Sequence, residues 1–154
     1  MSDQEFSMNP QVISINISDG GIPKYPKDSI QITKAGLFGD KHNHEKHYRV
    51  IQAVSIQDIE KLTELKEDGY DLLPGATGEN LTVQNLNVNN LEVGALLKFS
   101  GGVVLKLSKV RKPCYVLDSI DPKLKEDIDG RCGMYAEVVK EGVLSCNEQI
   151  LLDI

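Results

Sequence analysis

From Val12 to Ser18 apolar and polar residues alternate, with Ile13, Ile15 and Ile17 on one side and Ser14, Asn16 and Ser18 on the other. That period of two predicts a half-buried strand, and Asp19-Gly20-Gly21 turns the chain after it. Pro23 and Pro26 keep Ile22 to Lys27 extended but unsuited to a central strand, and Ile30 with Ile32 marks a second short strand before Gly36. Val50 to Val54 reads as a further strand. Ser55 and Asp58 then occupy the places of a capping box and predict a helix whose apolar face carries Ile56, Ile59 and Leu62, with Leu65 drifting off it and Gly69 as the stop. Leu81-Thr82-Val83, Leu91 to Ser100 and Val103 to Val110 are strand candidates, the last two joined by the hairpin signal Gly101-Gly102. Asp121-Pro122 is a candidate start for a second helix, in a segment that would hang over the loop following Val110. Met134 to Lys140 and Gln149 to Asp153 supply the closing strands. Strands outnumber helices and turn signals recur at short intervals, which predicts a single mainly β domain with one or two helices, closed or nearly closed into a β-barrel. Closure would remove exposed strand edges.

Composition narrows the class. At 154 residues the chain suits one domain of ordinary size, able to bury a continuous core without disulfides or structural metals. Charged residues make up 26% and hydrophobic residues 40%, and no apolar run approaches the ~20 residues that a membrane span requires. Met1 to Pro10 is polar and acidic, unlike a signal peptide, so a cytoplasmic protein is expected with no membrane partner. The three cysteines, Cys114, Cys132 and Cys146, fit neither a disulfide framework nor a Cys-x-x-Cys pair, and reduced thiols are expected. A net charge of −6 and the absence of Trp argue against nucleic acid as a partner, while leaving room for a local basic pocket for a small anion.

Two stretches carry candidate chemistry. Arg111-Lys112-Pro113-Cys114-Tyr115 is a cationic, proline-stiffened loop that presents one thiol after an alternating strand, and the adjacent cations favour thiolate chemistry at Cys114. A buried, inert cysteine at a strand end is the competing reading. Lys41-His42-Asn43-His44-Glu45-Lys46-His47-Tyr48-Arg49 holds every histidine of the chain. With Asp40 and Glu45 this cluster is a candidate divalent-metal site, anion pocket or acid/base centre, against a solvated polar loop, and its spacing matches none of the usual zinc signatures. Leu73 to Asn80 is a glycine-bearing turn and not a phosphate loop, because the Lys-Ser/Thr ending is missing and a strand follows.

The order of the motifs adds a resemblance. Ser14-Ile15-Asn16-Ile17-Ser18, Gly36-Leu37-Phe38-Gly39-Asp40-Lys41-His42, His47-Tyr48-Arg49-Val50, Pro74-Gly75-Ala76-Thr77-Gly78-Glu79-Asn80-Leu81-Thr82-Val83, Leu91-Glu92-Val93-Gly94, Arg111-Lys112-Pro113-Cys114 and Gly133-Met134-Tyr135-Ala136-Glu137-Val138 together resemble a MOSC domain, the family named for the C-terminal domain of molybdenum cofactor sulfurase. The resemblance covers residues 12–154, leaving 1–11 as a flexible N-terminal segment. It implies a β-barrel of the kind also found in pyruvate kinase, the molybdenum cofactor (molybdopterin) as ligand, and a cysteine that either ligates molybdenum or carries sulfur as a persulfide. That cysteine maps onto Cys114, as catalytic residue and metal ligand. Arg49, Arg111, Lys112, His42, His47, Glu79 and Asn80 become the candidate cofactor-binding residues, the arginines suited to a phosphate and Glu79 and Asn80 either lining the pocket or bracing their turn. The implied roles are cofactor binding or sulfur carriage, with a reductase of N-hydroxylated compounds and a metal-binding module built on His42, His44 and His47 as alternatives. A separate sulfur donor or electron-transfer protein is the implied partner. The family's usual Gly-Asp before the last strand is Cys146-Asn147 here, which reads as a structural replacement, and Cys132 is either a second thiol for Cys114 or simply buried.

Overall fold

In the computed structural model, which describes residues 9–41 and 50–153, the first alternating segment forms β1 (Gln11–Ile17). It is not half-buried as expected. Val12 lies opposite Val83 and Ser14 opposite Thr82, so Ile13 is an extra residue that bulges out of the ladder. The bulge keeps Val12 and Ile15 together in the core and sends Ser14 and Asn16 to the other face, where they too are buried. A polar face that is nonetheless covered is the first sign of where the chemistry sits.

The remaining elements are β2 (Tyr25–Lys27), β3 (Ser29–Thr33), β4 (Gly36–Leu37), β5 (Val54–Asp58), α1 (Ile59–Glu67), β6 (Leu81–Gln84), β7 (Leu96–Phe99), β8 (Val104–Val110), α2 (Leu124–Asp127), β9 (Met134–Lys140), β10 (Gly142–Ser145) and β11 (Ile150–Asp153). Eight strands form one sheet in the order β11-β7-β8-β9-β5-β6-β1-β2, and β10-β3-β4 form a second. β2, with Pro26, is an edge strand, as the prolines predict.

The strands are not found closed into a barrel. β1 spends both of its edges, on β6 and on β2, with Ile15 to Ile17 paired to Tyr25 to Lys27. Only its first residues are left to meet the far end of the sheet, where Gln11 forms a single bridge with Gln149. Cys146 fills the turn before that bridge, packing against the core with its Sγ 3.3 Å from the Lys27 carbonyl, as a structural replacement would.

Two apolar clusters hold the layers. The larger runs between the sheets through Val12, Ile32, Ile56, Leu81, Leu105, Leu107, Met134 and Leu144. The smaller joins Leu62 and Leu65 of α1 to Tyr70, Leu72, Leu117, Leu124, Ile128 and Cys132. Ile22, Ile59 and Ala76 pack against this second cluster, and removing one of its buried leucines should cost about 2–5 kcal/mol.

The predicted boundary at residues 50–58 shifts by several residues. Val50–Gln52 is a short 3₁₀ turn, β5 begins at Val54, and the N-cap position falls on Asp58 and not on Ser55, with no capping bond from the Asp58 side chain. The cause is tertiary: β5 lies between β6 and β9, and the Ser55 side chain is already engaged with Asn80 across the sheet. Ile56 therefore belongs to the sheet core, and α1 buries Leu62 and Leu65. Its end is as predicted, with Gly69 at φ +105° donating to Lys66 O at 3.0 Å and Tyr70 donating to Leu65 O at 3.0 Å.

Candidate active site around Cys114

Alternation along neighbouring strands lines up a row of polar side chains on the covered face of the sheet. Ser55 on β5 is the register partner of Tyr135 on β9, and the Asn80 N–H donates to the Ser55 carbonyl at 3.0 Å. Asn80 Oδ1 accepts from the Ser55 N–H at 3.0 Å, and its Nδ2 donates to Asp40 at 2.9 Å. Asp40 in turn receives Lys24 Nζ at 2.6 and 2.7 Å and the Ser18 N–H at 3.0 Å. The histidines beside which Asp40 was a candidate metal ligand lie outside the described residues.

β8 runs out at Val110, opposite Met134, and the Arg111 N–H extends the pairing to the Gly133 carbonyl at 3.1 Å. From there the chain peels away as Lys112-Pro113-Cys114. Cys114 is exposed, at the start of a 3₁₀ turn (Tyr115–Ser119), and its carbonyl accepts from the Leu117 N–H at 3.1 Å. Two adjoining cavities share it, one of about 340 Å³ reaching Lys24, Ser55, Asn80 and Tyr115, the other of about 310 Å³ reaching Lys109, Lys112 and Cys132. Gln52, Arg111 and Tyr135 also line both.

Arg111 is the electrostatic centre. Its Nη2 donates to the Thr77 carbonyl at 2.6 Å, while Nη1 is buried without a hydrogen-bond partner among the described residues. Burial opposes its charge, but Cys132, Tyr135 and Glu79 outweigh that and raise its pKa above the ordinary value. Burial pushes the Cys132 thiol up, with Arg111 opposing. Among the described residues, five cationic side chains, Lys24, Lys41, Lys109, Arg111 and Lys112, line the two cavities and no carboxylate does. In a chain of net charge −6 this is a strong local inversion.

Of the residues singled out in the sequence, Cys114, Arg111, Lys112 and Asn80 are brought together at these cavities. Glu79 is not on either wall. It is fully buried, accepting from the Gly75 N–H at 3.0 Å, Thr77 Oγ1 at 2.8 Å and Thr82 Oγ1 at 2.9 Å, which is the turn-bracing role. His42, His44, His47 and Arg49 lie outside the described residues. Lys24, Gln52, Ser55 and Tyr135 were missed; only Tyr135, an aromatic in an alternate position of β9, left a local trace in the sequence.

A mainly β domain with an exposed thiol at the mouth of a cation-lined cavity is the class these features define. Residues 39–151 match the MOSC domain model, and the chain belongs to the MOSC domain family. It is 30% identical over 127 residues to a protein named "Reductase" from Gibberella moniliformis, a match that covers 76% of this chain and 22% of that relative's length. Among solved structures, the YuaD protein of Bacillus subtilis superposes with a TM-score of 0.79 at 18% identity, covering 94% of this chain and 95% of that one. YiiM from Geobacillus stearothermophilus gives 0.79 at 24% identity over 94% of this chain and 75% of its own. These structural likenesses carry the fold. Among the described residues no helix is long and apolar enough to cross a membrane.

Proposed function

We propose that this chain is a molybdenum-cofactor-binding domain in which Cys114 supplies the thiolate ligand and Arg111 and Lys112 receive the anionic part of the cofactor. The observation that carries the reading is the pair of cavities lined, among the described residues, by five cations and no carboxylate, with one exposed thiol common to both. The residues fit the group. A soft sulfur donor suits molybdenum, and Arg111 Nη1 is a buried donor without a partner among the described residues. When bound, the cofactor supplies the redox centre that reduction of an N-hydroxylated compound needs, in keeping with the relative named "Reductase", and electrons would come from a separate donor protein. The chain's own contribution is positional: Thr77 holds Arg111 by its carbonyl, Glu79 offsets the guanidinium charge, and Tyr135 and Gln52 shape the floor.

A second reading, persulfide carriage by Cys114, is favoured by its exposure, since sulfur handed between proteins requires a thiol that a partner can reach. Molybdenum content by elemental analysis and fluorescence of the oxidised pterin, on protein from a host that makes the cofactor, separate the two. Stoichiometric metal and pterin, lost in Cys114→Ser, support the first. Retention unchanged in Cys114→Ser overturns ligation by that residue, and a sulfane-sulfur adduct on Cys114 without metal supports the second.

A further inference from the structure

Cys132 is a buried thiol that cofactor binding does not use, and it faces the smaller cavity together with Cys114. Its position is firmly set. Gly133 beside it has φ +87°, and a Cβ there would lie 2.0 Å from the Ile56 carbonyl oxygen, so the chain passes β5 at a distance only glycine permits. On its other side the Arg131 carbonyl accepts from Gln57 Nε2 at 2.8 Å, and the Arg131 guanidinium reaches Asp68 at 3.4 Å. Cys114 lies three residues beyond Arg111, whose N–H is bonded to the carbonyl of Gly133, the neighbour of Cys132. The two thiols thus leave the end of one ladder on adjacent strands and open on one cavity, the first exposed and the second shielded.

We propose that Cys114 and Cys132 are a reactive and a resolving thiol, and that a hydroperoxide converts them to a disulfide that reversibly blocks the site. The inference rests on the reading of Cys114 as the reactive residue and adds its regulation. The Cys114 thiolate attacks the outer peroxide oxygen, the O–O bond breaks, and the hydroperoxide leaves as an alcohol or water once protonated. Cys114 becomes a sulfenic acid. The Cys132 sulfur then attacks the Cys114 sulfur, the S–O bond breaks, and hydroxide takes up the thiol proton to leave as water. Two electrons pass from the thiol pair to the hydroperoxide, and a low-molecular-weight dithiol reverses the step.

The test is a hydrogen peroxide titration of purified full-length protein, read by intact mass and by peptide mapping after alkylation. The expected result is a mass lower by two hydrogens, a Cys114–Cys132 linked peptide, and recovery of both thiols with dithiothreitol. Cys132→Ser should instead accumulate a dimedone-reactive Cys114 that proceeds to the sulfinic acid, and Cys114→Ser should leave Cys132 alkylatable after unfolding. Wild-type protein in which Cys114 goes to the sulfinic acid while Cys132 stays a free thiol overturns the proposal, as does a disulfide to Cys146 or between chains. The titration is run on protein whose molybdenum content has been measured and removed, so that Cys114 is a free thiol at the start. Protein that forms the disulfide but never retains molybdenum sinks the cofactor reading alone, and protein that loses molybdenum with Cys114→Ser but never forms the disulfide sinks this one alone.

Discussion

Replacing Asp58 by Asn removes a titrating group from the joint between β5 and α1, where the side chain is almost wholly buried and both carboxylate oxygens face the Val88 N–H, at 3.0 and 3.2 Å. Burial pushes its pKa up from 3.8 to about 6, against the opposing pull of the Val88 N–H. The folded protein therefore holds this proton more tightly than the unfolded chain does. Its contribution to stability is fully present below pH 3.8 and is lost as pH rises to about 6, staying flat above. At about 1.4 kcal/mol per pH unit the loss comes to about 3 kcal/mol. For a domain of this size that corresponds to roughly 6–12 °C in melting temperature. Urea denaturation of wild type and Asp58→Asn at intervals from pH 3.5 to about 7 isolates this group from all others that titrate in the same range. Wild type should lose about 3 kcal/mol relative to the variant across the window. A difference that stays flat, or one that grows in favour of wild type as pH rises, would show that the Val88 N–H bonds outweigh burial and would refute the reasoning.

Three further outcomes are expected. Lys24→Met leaves Asp40 buried without its cation and should cost about 3–5 kcal/mol in urea denaturation, with part recovered in Lys24→Met/Asp40→Asn; a non-additivity near zero in that double-mutant cycle would remove the pair from the account. Glu79→Gln sets an amide N–H₂ against donors from Gly75, Thr77 and Thr82, and should destabilise protein lacking any cofactor by about 2–3 kcal/mol; unchanged stability with impaired cofactor retention would restore Glu79 to a ligand-binding role. Gly69→Ala and Gly133→Ala both place alanine at positive φ, but a Cβ at Gly69 meets nothing within 4 Å while one at Gly133 overlaps the Ile56 carbonyl, so thermal denaturation should show a loss of about 1 kcal/mol for the first and about 3 kcal/mol or more for the second. Equal losses would mean that backbone angle alone, and not the close approach to β5, makes Gly133 necessary.

Much of the strand content was legible because it rests on local alternation. Met134–Lys140 is a strand over the expected residues, and the Gly101-Gly102 turn does join β7 to β8. Where a side chain was needed elsewhere, local reading failed. Ser55 looks like a cap beside Asp58 but is held across the sheet by Asn80, and the bulge at Ile13 turns an apparently regular alternation by one residue. β10 was not expected, since Gly142–Ser145 alternates too briefly to register and is a strand only because β3 is there to pair with it.

What the sequence determines by itself is the mainly β character, the end of α1 at Gly69, and the cationic thiol loop at Arg111 to Cys114. Each depends on residues that are neighbours in the chain. The tertiary structure decided the open strand order, since β1 spends an edge on β2 before β11 can pair with it. It also decided the site. Lys24, Ser55, Asn80, Arg111, Cys132 and Tyr135 come from separate segments: Ser55 and Tyr135 share a face because β5 and β9 pair in register, and the other four sit just outside strand ends, where only the assembled sheet brings them to the same cavities.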